Sequence, residues 1–132
     1  MRFLLDTNVL SDLVRGEPNV SKRFKDTPPD DAAVSTVTTM EIDYGLALQP
    51  ERVKRIAPLL GGILGTLHVL PFSRADARSA GVVRAVLRKR GRPIGPYDVM
   101  LAGCALARGL TLVTSNMKEF TRVGGLAVET WR

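Results

Sequence analysis

Short apolar runs alternate with helix-forming segments along the whole chain, and this alternation is what most limits how the chain can fold. Runs typical of buried strands lie at Arg2–Leu5, Ala32–Val37, Leu67–Leu70, Leu110–Thr114 and Leu126–Val128. Segments with helical spacing or capping residues lie between them, at 7–14, 19–25, 38–48, 50–61, 73–91 and 97–108. Strands that alternate with helices form a parallel sheet covered on both faces. The sequence therefore predicts an α/β fold.

A chain of 132 residues has the length of one domain, so we expect a single domain over residues 1–132. The apolar run after Arg2 is interrupted by Asp6 and is too short for a secretion signal. The uncharged segment 56–72 is slightly short for a membrane span and contains prolines and glycines. These features predict a cytoplasmic protein without a membrane partner.

The single cysteine and the single histidine exclude several kinds of chemistry. One cysteine cannot form an internal disulfide, and one cysteine with one histidine cannot supply the four ligands of a structural zinc site. Cys104 lies in an apolar stretch, which favours a buried and unreactive thiol over a nucleophile paired with His68.

The net charge of +6 is concentrated in one segment. Between Arg74 and Arg92 there are seven basic residues and one acid, Asp76, while the rest of the chain has equal numbers of both. A basic helix is expected here, with Arg84, Arg88 and Arg92 repeating every four residues and Val82, Val83, Val86 and Leu87 available for the core. A positive stripe is either a solvated face or a surface for a polyanion such as nucleic acid.

Three carboxylates lie where sites form in parallel sheets, at strand ends or helix starts. Asp6 follows the first strand, Glu41 lies on a largely apolar helix stripe, and Asp98 opens an apolar helix. Helix capping is the simpler explanation for Asp6 and Asp98. For Glu41 a capping box with Thr38 is the alternative, but a functional role is favoured because burial of its carboxylate is costly without a partner. Thr114, Ser115 and Asn116 follow the fourth strand, where turn formation is the simpler explanation.

Taken together, these residues indicate a cation site. Several ionised carboxylates share a small space only with a compensating cation, and oxygen ligands suit Mg²⁺ or Mn²⁺. Such a metal beside a basic surface fits hydrolysis of a phosphodiester, which needs no histidine base.

Four segments together resemble the motifs of PIN-domain ribonucleases, in particular the VapC toxins of bacterial toxin–antitoxin pairs. They span residues 1–10, 35–45, 91–98 and 111–126, in order and over nearly the whole chain. The resemblance implies a PIN-like three-layer α/β/α fold with a mostly parallel five-stranded sheet. It also implies an endoribonuclease that depends on Mg²⁺ or Mn²⁺, with tRNA or another structured RNA as substrate.

The resemblance also implies roles for individual residues. Asp6 and Asp98 would be the main metal ligands, and Glu41 would complete the acidic pocket. Many relatives have an aspartate where this chain has Asn116, so Asn116 is expected to orient water or phosphate, assisted by neighbouring polar residues. These neighbouring polar residues are Thr7, Asn8, Thr114 and Ser115. Glu119 is a possible substitute for the missing acid, although a solvated position beside Lys118 is favoured.

The implied partners are RNA, a small VapB-like antitoxin and a second copy of the chain, in a homodimer or a larger toxin–antitoxin assembly. The basic stripe of Arg84, Arg88 and Arg92 is expected to contact the RNA backbone.

Three alternative functions compete with this assignment. A receiver domain needs an acidic pair after the first strand, but Asp6 is followed by Thr7. A haloacid-dehalogenase-like phosphatase needs a second acid at the position of Asn8. A non-catalytic module that binds nucleic acid or antitoxin stays possible because of Asn116.

Overall fold

A computed structural model describes all 132 residues and confirms the α/β fold, with a five-stranded sheet between helices. The strands are β1 Phe3–Leu5, β2 Ala32–Ser35, β3 His68–Leu70, β4 Thr111–Val113 and β5 Val128–Glu129. The helices are α1 Thr7–Arg15, α2 Pro18–Asp26, α3 Thr36–Leu48, α4 Val53–Leu64, α5 Arg74–Lys89, α6 Pro96–Arg108 and α7 Met117–Phe120. Short 3₁₀ turns precede β2 and α4, at Pro29–Asp31 and Pro50–Arg52.

The sheet order is β3-β2-β1-β4-β5, and every pair of neighbouring strands is parallel. The expectation of a mostly parallel sheet is thus sharpened to a fully parallel one. From β1 the chain builds the sheet outward through β2 and β3, and then returns to the other side of β1 as β4. The order therefore reverses between β1 and β4. Parallel sheets commonly bind ligands at the carboxyl ends of strands beside such a reversal.

Two hydrophobic cores, one on each face of the sheet, confirm the three-layer arrangement. Alternate strand residues point to opposite faces, so Leu4 lies in one core while Phe3 and Leu5 lie in the other. Helices α5 and α6 cover the Leu4 face, and α1 and α2 cover the opposite face. Gly103 of α6 lets these two helices on the Leu4 face approach closely, because a Cβ at Gly103 would lie 2.5 Å from the backbone nitrogen of Ala80 in α5.

The junction between β2 and α3 lies earlier than predicted. The strand ends at Ser35, whose Oγ accepts a hydrogen bond from the Val37 amide at 3.0 Å and caps the helix. The prediction that Thr38 and Thr39 cap this helix was wrong, because Ser35 reaches the first free amides before them. Glu41 consequently lies in the second turn of α3, beyond the place where a capping box forms.

The basic helix α5 also differs from its prediction. Ser73 caps it as expected, in a capping box with Asp76, but the helix ends at Lys89. Arg92 therefore does not continue the helical stripe of Arg84 and Arg88. Val83 and Leu87 are buried as predicted, whereas Val82 and Val86 are exposed because they face away from α6 and the sheet.

Smaller differences lie at the two edges of the sheet and after β4. The strand β3 was expected to be buried but is largely exposed, since it forms an edge. The strand β5 begins at Val128, two residues later than predicted. The helix α7 was not predicted, because four residues are too few to show a helical pattern. No helix is both long and apolar enough to span a membrane.

Candidate active site

The polar residues after β1 and β4 meet at the reversal of strand order. Asp6 immediately follows β1, and its amide donates a hydrogen bond to the Val113 carbonyl of β4 at 2.9 Å. Thr114, Ser115 and Asn116 follow β4 directly, and Glu41 and Asp98 approach from the first halves of α3 and α6. The structure thus brings the acids predicted from the sequence together at the carboxyl ends of the central strands, where they were expected.

The Asp6 carboxylate is buried and held by three donors. Its Oδ1 accepts from the Thr7 amide at 2.7 Å, and its Oδ2 accepts from the Thr114 hydroxyl at 2.8 Å and from Asn8 Nδ2 at 3.1 Å. Burial raises the pKa of Asp6, and the three hydrogen bonds counteract only part of this rise. Asp6 does cap α1, as the simpler explanation proposed, but the cap uses only one of its oxygens.

Glu41 is tied to the start of α1. Its Oε1 accepts a hydrogen bond from the Thr7 hydroxyl at 3.1 Å. Burial raises the pKa of Glu41, the Thr7 hydrogen bond lowers it, and the negative charge of Asp6 raises it further. Glu41 and Asp6 are therefore close enough to repel each other when both are ionised.

Asp98 is the acid of the site whose pKa is raised most strongly. Its pKa is raised to about 7 by burial, by a hydrogen bond with Glu119, and by the charges of Asp6, Glu119 and Glu41. The backbone of Gly95 lies against this carboxylate, since a Cβ there would be 3.2 Å from Asp98 Oδ2. With a pKa of about 7, Asp98 is only partly ionised at neutral pH.

Glu119 is a site residue that the sequence interpretation undervalued. The prediction that it is solvated was wrong, because it is half-buried, contacts Asp98, and accepts a hydrogen bond from Asn116 Nδ2 at 3.0 Å. The available signal was the spacing of three residues between Asn116 and Glu119, which places both on one side of a helical turn. Asn116 is thus hydrogen-bonded to a fourth carboxylate, that of Glu119, which lies beside Asp98.

The neighbouring polar residues are bonded mainly to one another and to the acids. The Thr114 hydroxyl is buried, donates to Asp6, and accepts from the Asn116 amide at 2.9 Å. Asn8 Oδ1 accepts from the Ser115 amide at 3.1 Å. Thr114 is thus buried beside Asp6, and its expected role in orienting phosphate or water stays a prediction.

No basic side chain pairs with the four acids. All six ion pairs of the protein lie elsewhere, and none includes Asp6, Glu41, Asp98 or Glu119. No three His, Cys, Asp or Glu side chains converge as a preformed ligand set for a metal ion. The cluster nevertheless fits a hard divalent cation, because it offers carboxylate oxygens whose mutual repulsion a cation would relieve.

The remaining candidates lie outside this cluster. Arg84 and Arg88 are exposed and flank an apolar groove between α5 and α6, which also includes Pro93, Ile94 and Pro96 of the loop that leads to Asp98. Burial raises the pKa of Cys104 to about 11, and His68 lies on the edge strand β3, so the two do not form a nucleophilic pair.

The sequence matches the family of PIN domains over residues 3–126. Among curated proteins, it is 39% identical to the tRNA(fMet)-specific endonuclease VapC of Shigella flexneri, over 99% of this chain and 98% of that protein. It is 37% identical to the protein of the same name from Salmonella typhimurium, with the same coverage. It is also 32% identical to ribonuclease VapC2 of Haemophilus influenzae, again with the same coverage.

Solved structures give the same result. The fold matches a crystal structure of DNA-bound VapBC from Salmonella typhimurium with a TM-score of 0.92 and 35% identity, over 100% of this chain and 99% of that chain. It matches VapBC2 from Rickettsia felis, bound to a promoter DNA fragment, with a TM-score of 0.87 and 28% identity over the full length of both chains.

Proposed function

The chain belongs to the PIN-domain family and to its VapC ribonucleases, and we propose that it is a divalent-metal-dependent endoribonuclease that acts on tRNA as the toxin of a toxin–antitoxin pair. One observation carries the chemistry: four carboxylates surround the carboxyl ends of β1 and β4 without any basic partner. The tRNA specificity rests on the relatives from Shigella flexneri and Salmonella typhimurium, which match over almost their whole length.

Asp6, Asp98, Glu41 and Glu119 are the residues that would hold Mg²⁺ or Mn²⁺. When bound, the ion polarises the scissile phosphate and lowers the pKa of attacking water. Asp6 is oriented for this role by Thr114 and Asn8, which fix Oδ2 from two directions. Asp98, whose pKa is raised to about 7, loses its proton when it binds the ion, because a ligand carboxylate must be ionised.

The side chains around the acids set their positions in the proposed reaction. Thr7 fixes Glu41 through its hydroxyl and Asp6 through its amide, so one residue links two acids. Asn116 orients Glu119 toward Asp98. We assign these residues to orientation of the acids, which leaves Ser115 as a polar group near the site without a hydrogen-bonded side chain.

RNA binding is assigned to Arg84, Arg88 and Arg92. All three are exposed, and the first two border the groove that leads to the Asp98 loop. A double charge reversal of Arg88 and Arg92 is expected to weaken RNA binding and to reduce its dependence on salt, because fewer counterions are released. Unchanged affinity with an unchanged salt slope would overturn this assignment.

A VapB-like antitoxin and a second copy of the chain are the proposed protein partners. The matched VapBC structures support the antitoxin. Large apolar side chains are exposed on α3 and also support protein contacts, namely Met40, Tyr44 and Leu48. We also propose that the chain forms a homodimer, or a larger assembly with the antitoxin, and that it acts in the cytoplasm.

Cleavage of purified RNA tests the activity. The protein is incubated with total tRNA, ribosomal RNA and messenger RNA in Mg²⁺ or Mn²⁺, and the new ends are sequenced. We expect cuts in tRNA that disappear with EDTA and in Asp6→Asn, while the surface variant Arg55→Met cleaves like the wild type. Cleavage that survives both EDTA and Asp6→Asn would show that another mechanism or a contaminant is responsible.

The alternative function, a non-catalytic binding module, was favoured only by Asn116. Glu119 supplies a carboxylate at the same corner of the site, so the ground for that alternative is weaker. The same assay separates the two functions, since a module would bind RNA or antitoxin but yield no new RNA ends.

A further inference from the structure

Arg122 connects two segments that carry acids of the site, although it is not in the acidic cluster. Its Nη1 donates a hydrogen bond to the Pro93 carbonyl at 3.1 Å, in the loop before α6. Its backbone amide lies just after α7 and donates to the carbonyl of Glu119, within that helix, at 3.1 Å. One residue therefore joins the Asp98 side of the site to the Glu119 side.

Both ends of this connection are firmly placed. Phe120, two residues before Arg122, and Val123, directly after it, are buried in the core under α5 and α6. On the other side, the loop backbone reaches the Asp98 carboxylate at Gly95, two residues after Pro93. A movement of the Pro93 carbonyl would therefore be passed directly to the surroundings of Asp98.

The Arg122 guanidinium contacts the Pro93 carbonyl and forms no ion pair. Arg122 takes part in none of the ion pairs, and its Nε is buried without a hydrogen-bond partner. Burial of an unpaired donor is unfavourable. The side chain therefore stays buried despite this cost, and packing around it and the hydrogen bond to the Pro93 carbonyl hold it in place.

Repulsion within the acidic cluster explains why a contact at this position matters. Asp98 and Glu119 lie on different helices and repel each other when ionised, together with Asp6 and Glu41. This repulsion tends to separate α7 from the start of α6. A fixed contact outside the cluster opposes that separation without neutralising any acid, and no basic group is among those that perturb Asp98.

We propose that Arg122 is a positioning residue that fixes the Pro93–Gly95 loop, and through it Asp98, beside Glu119. The proposal rests on the metal-dependent function proposed above and adds a residue that touches neither metal nor substrate. Its effect is on how readily the two carboxylates bind one ion together.

Mn²⁺ affinity and backbone amide exchange of the full chain test the proposal. Arg122→Met keeps the length of the side chain but removes its donors. We expect its Mn²⁺ affinity, measured by calorimetry, to fall about tenfold, as is typical when a supporting contact of a metal ligand is lost. The Arg92 and Val99 amides, which flank the loop and are hydrogen-bonded, should exchange about tenfold faster.

Two further variants make the result specific. Arg122→Lys keeps a terminal donor and should restore most of the Mn²⁺ affinity. Arg55→Met removes the same charge from the exposed face of α4 and should behave like the wild type. Unchanged Mn²⁺ affinity in folded Arg122→Met, even with a lower melting temperature, would overturn the proposal and leave Arg122 a merely structural residue.

Failure of the proposed function would look different. A wild-type protein that binds no Mn²⁺ would overturn the metal-dependent function and this inference with it. Mn²⁺ binding by the wild type that is equally strong in Arg122→Met would overturn this inference alone.

Discussion

The protein buries carboxylates in two kinds of surroundings, and their comparison separates acids that are paired with arginine from acids that have no counter-charge. Asp12 and Asp76 are each 1% exposed and each is paired with arginine: Asp12 with Arg15 and with Arg132 at 2.8 Å, and Asp76 with Arg108 at 3.1 Å. Asp6 is almost as buried, yet it accepts hydrogen bonds only from neutral donors, and Asp98 has other acids as its neighbours.

The two groups differ in the direction of their pKa shifts. Hydrogen bonds from Arg132 lower the pKa of Asp12 despite its burial. Burial alone would raise the pKa of Asp76, but the hydrogen bonds from Arg108 and Ser73 outweigh it and lower the pKa. The pKa values of Asp6, Glu41 and Asp98 are all raised. Burial by itself therefore does not single out the proposed site, whereas burial without a counter-charge does.

Replacement of Asp98 has the largest expected effect and tests directly whether an acid without a counter-charge is needed for RNA cleavage. Asp98→Asn keeps the shape of the side chain but removes a proposed metal ligand. We expect RNA cleavage to fall about 1,000-fold, equivalent to about 4 kcal/mol of transition-state stabilisation. Because one repelling charge disappears, stability above neutral pH should not fall. Cleavage within tenfold of the wild-type rate would remove Asp98 from the chemistry.

The opposite result is expected at Asp76. Asp76→Asn breaks the pairing with Arg108 and weakens the capping box of α5. Loss of one partner of a buried pair costs about 3 kcal/mol, so urea denaturation should show a clear decrease in stability. Cleavage per folded molecule should stay at the wild-type level in the cold. A variant as stable as the wild type would show that Asp76 is not a structural anchor.

A divalent ion should stabilise only the unpaired acids. Mn²⁺ at 100 times its dissociation constant adds about 2.7 kcal/mol to the free energy of unfolding, because it binds the folded state alone. The melting temperature should therefore rise with Mn²⁺ in the wild type and in Asp76→Asn, but much less in Asp98→Asn. An equal rise in Asp98→Asn would place the ion elsewhere.

The sequence supplied the fold and three of the acids because their signals are local. Apolar runs, helix caps and breakers predicted the order of elements, and Asp6, Glu41 and Asp98 follow directly from short motifs. The roles of Glu119 and Arg122 could not be predicted from the sequence. Glu119 contacts Asp98 and Arg122 contacts Pro93, and these partners are about 20 to 30 residues away, so only the folded chain brings them together. The exact start of α3 depended on which of several neighbouring hydroxyls captured the first amides, which a sequence does not decide.

The pH dependence of stability offers the finest test, because the two groups of acids act in separate windows. Asp98 has a pKa of about 7 in the folded protein and 3.8 as its ordinary value, so the folded state binds the extra proton between these values. Stability should therefore fall as pH rises from about 4 to about 7. Asp12 and Asp76, with lowered pKa values, lose their stabilising effect only as pH falls below about 4. Between pH 5.5 and 8 the unpaired acids alone should set the slope.

We expect the wild type in EDTA to be more stable at pH 5.5 than at pH 8 by about 1 kcal/mol, a value reduced for solvent screening of a half-buried group. Urea denaturation at both pH values measures this difference. Asp98→Asn should remove most of it, because the proton that drives it has no site, while Asp76→Asn should keep it despite a lower stability at each pH. A wild type that becomes more stable toward pH 8 would mean that Asp98 is ionised in the folded state, and that the contrast between the two groups of buried acids does not hold.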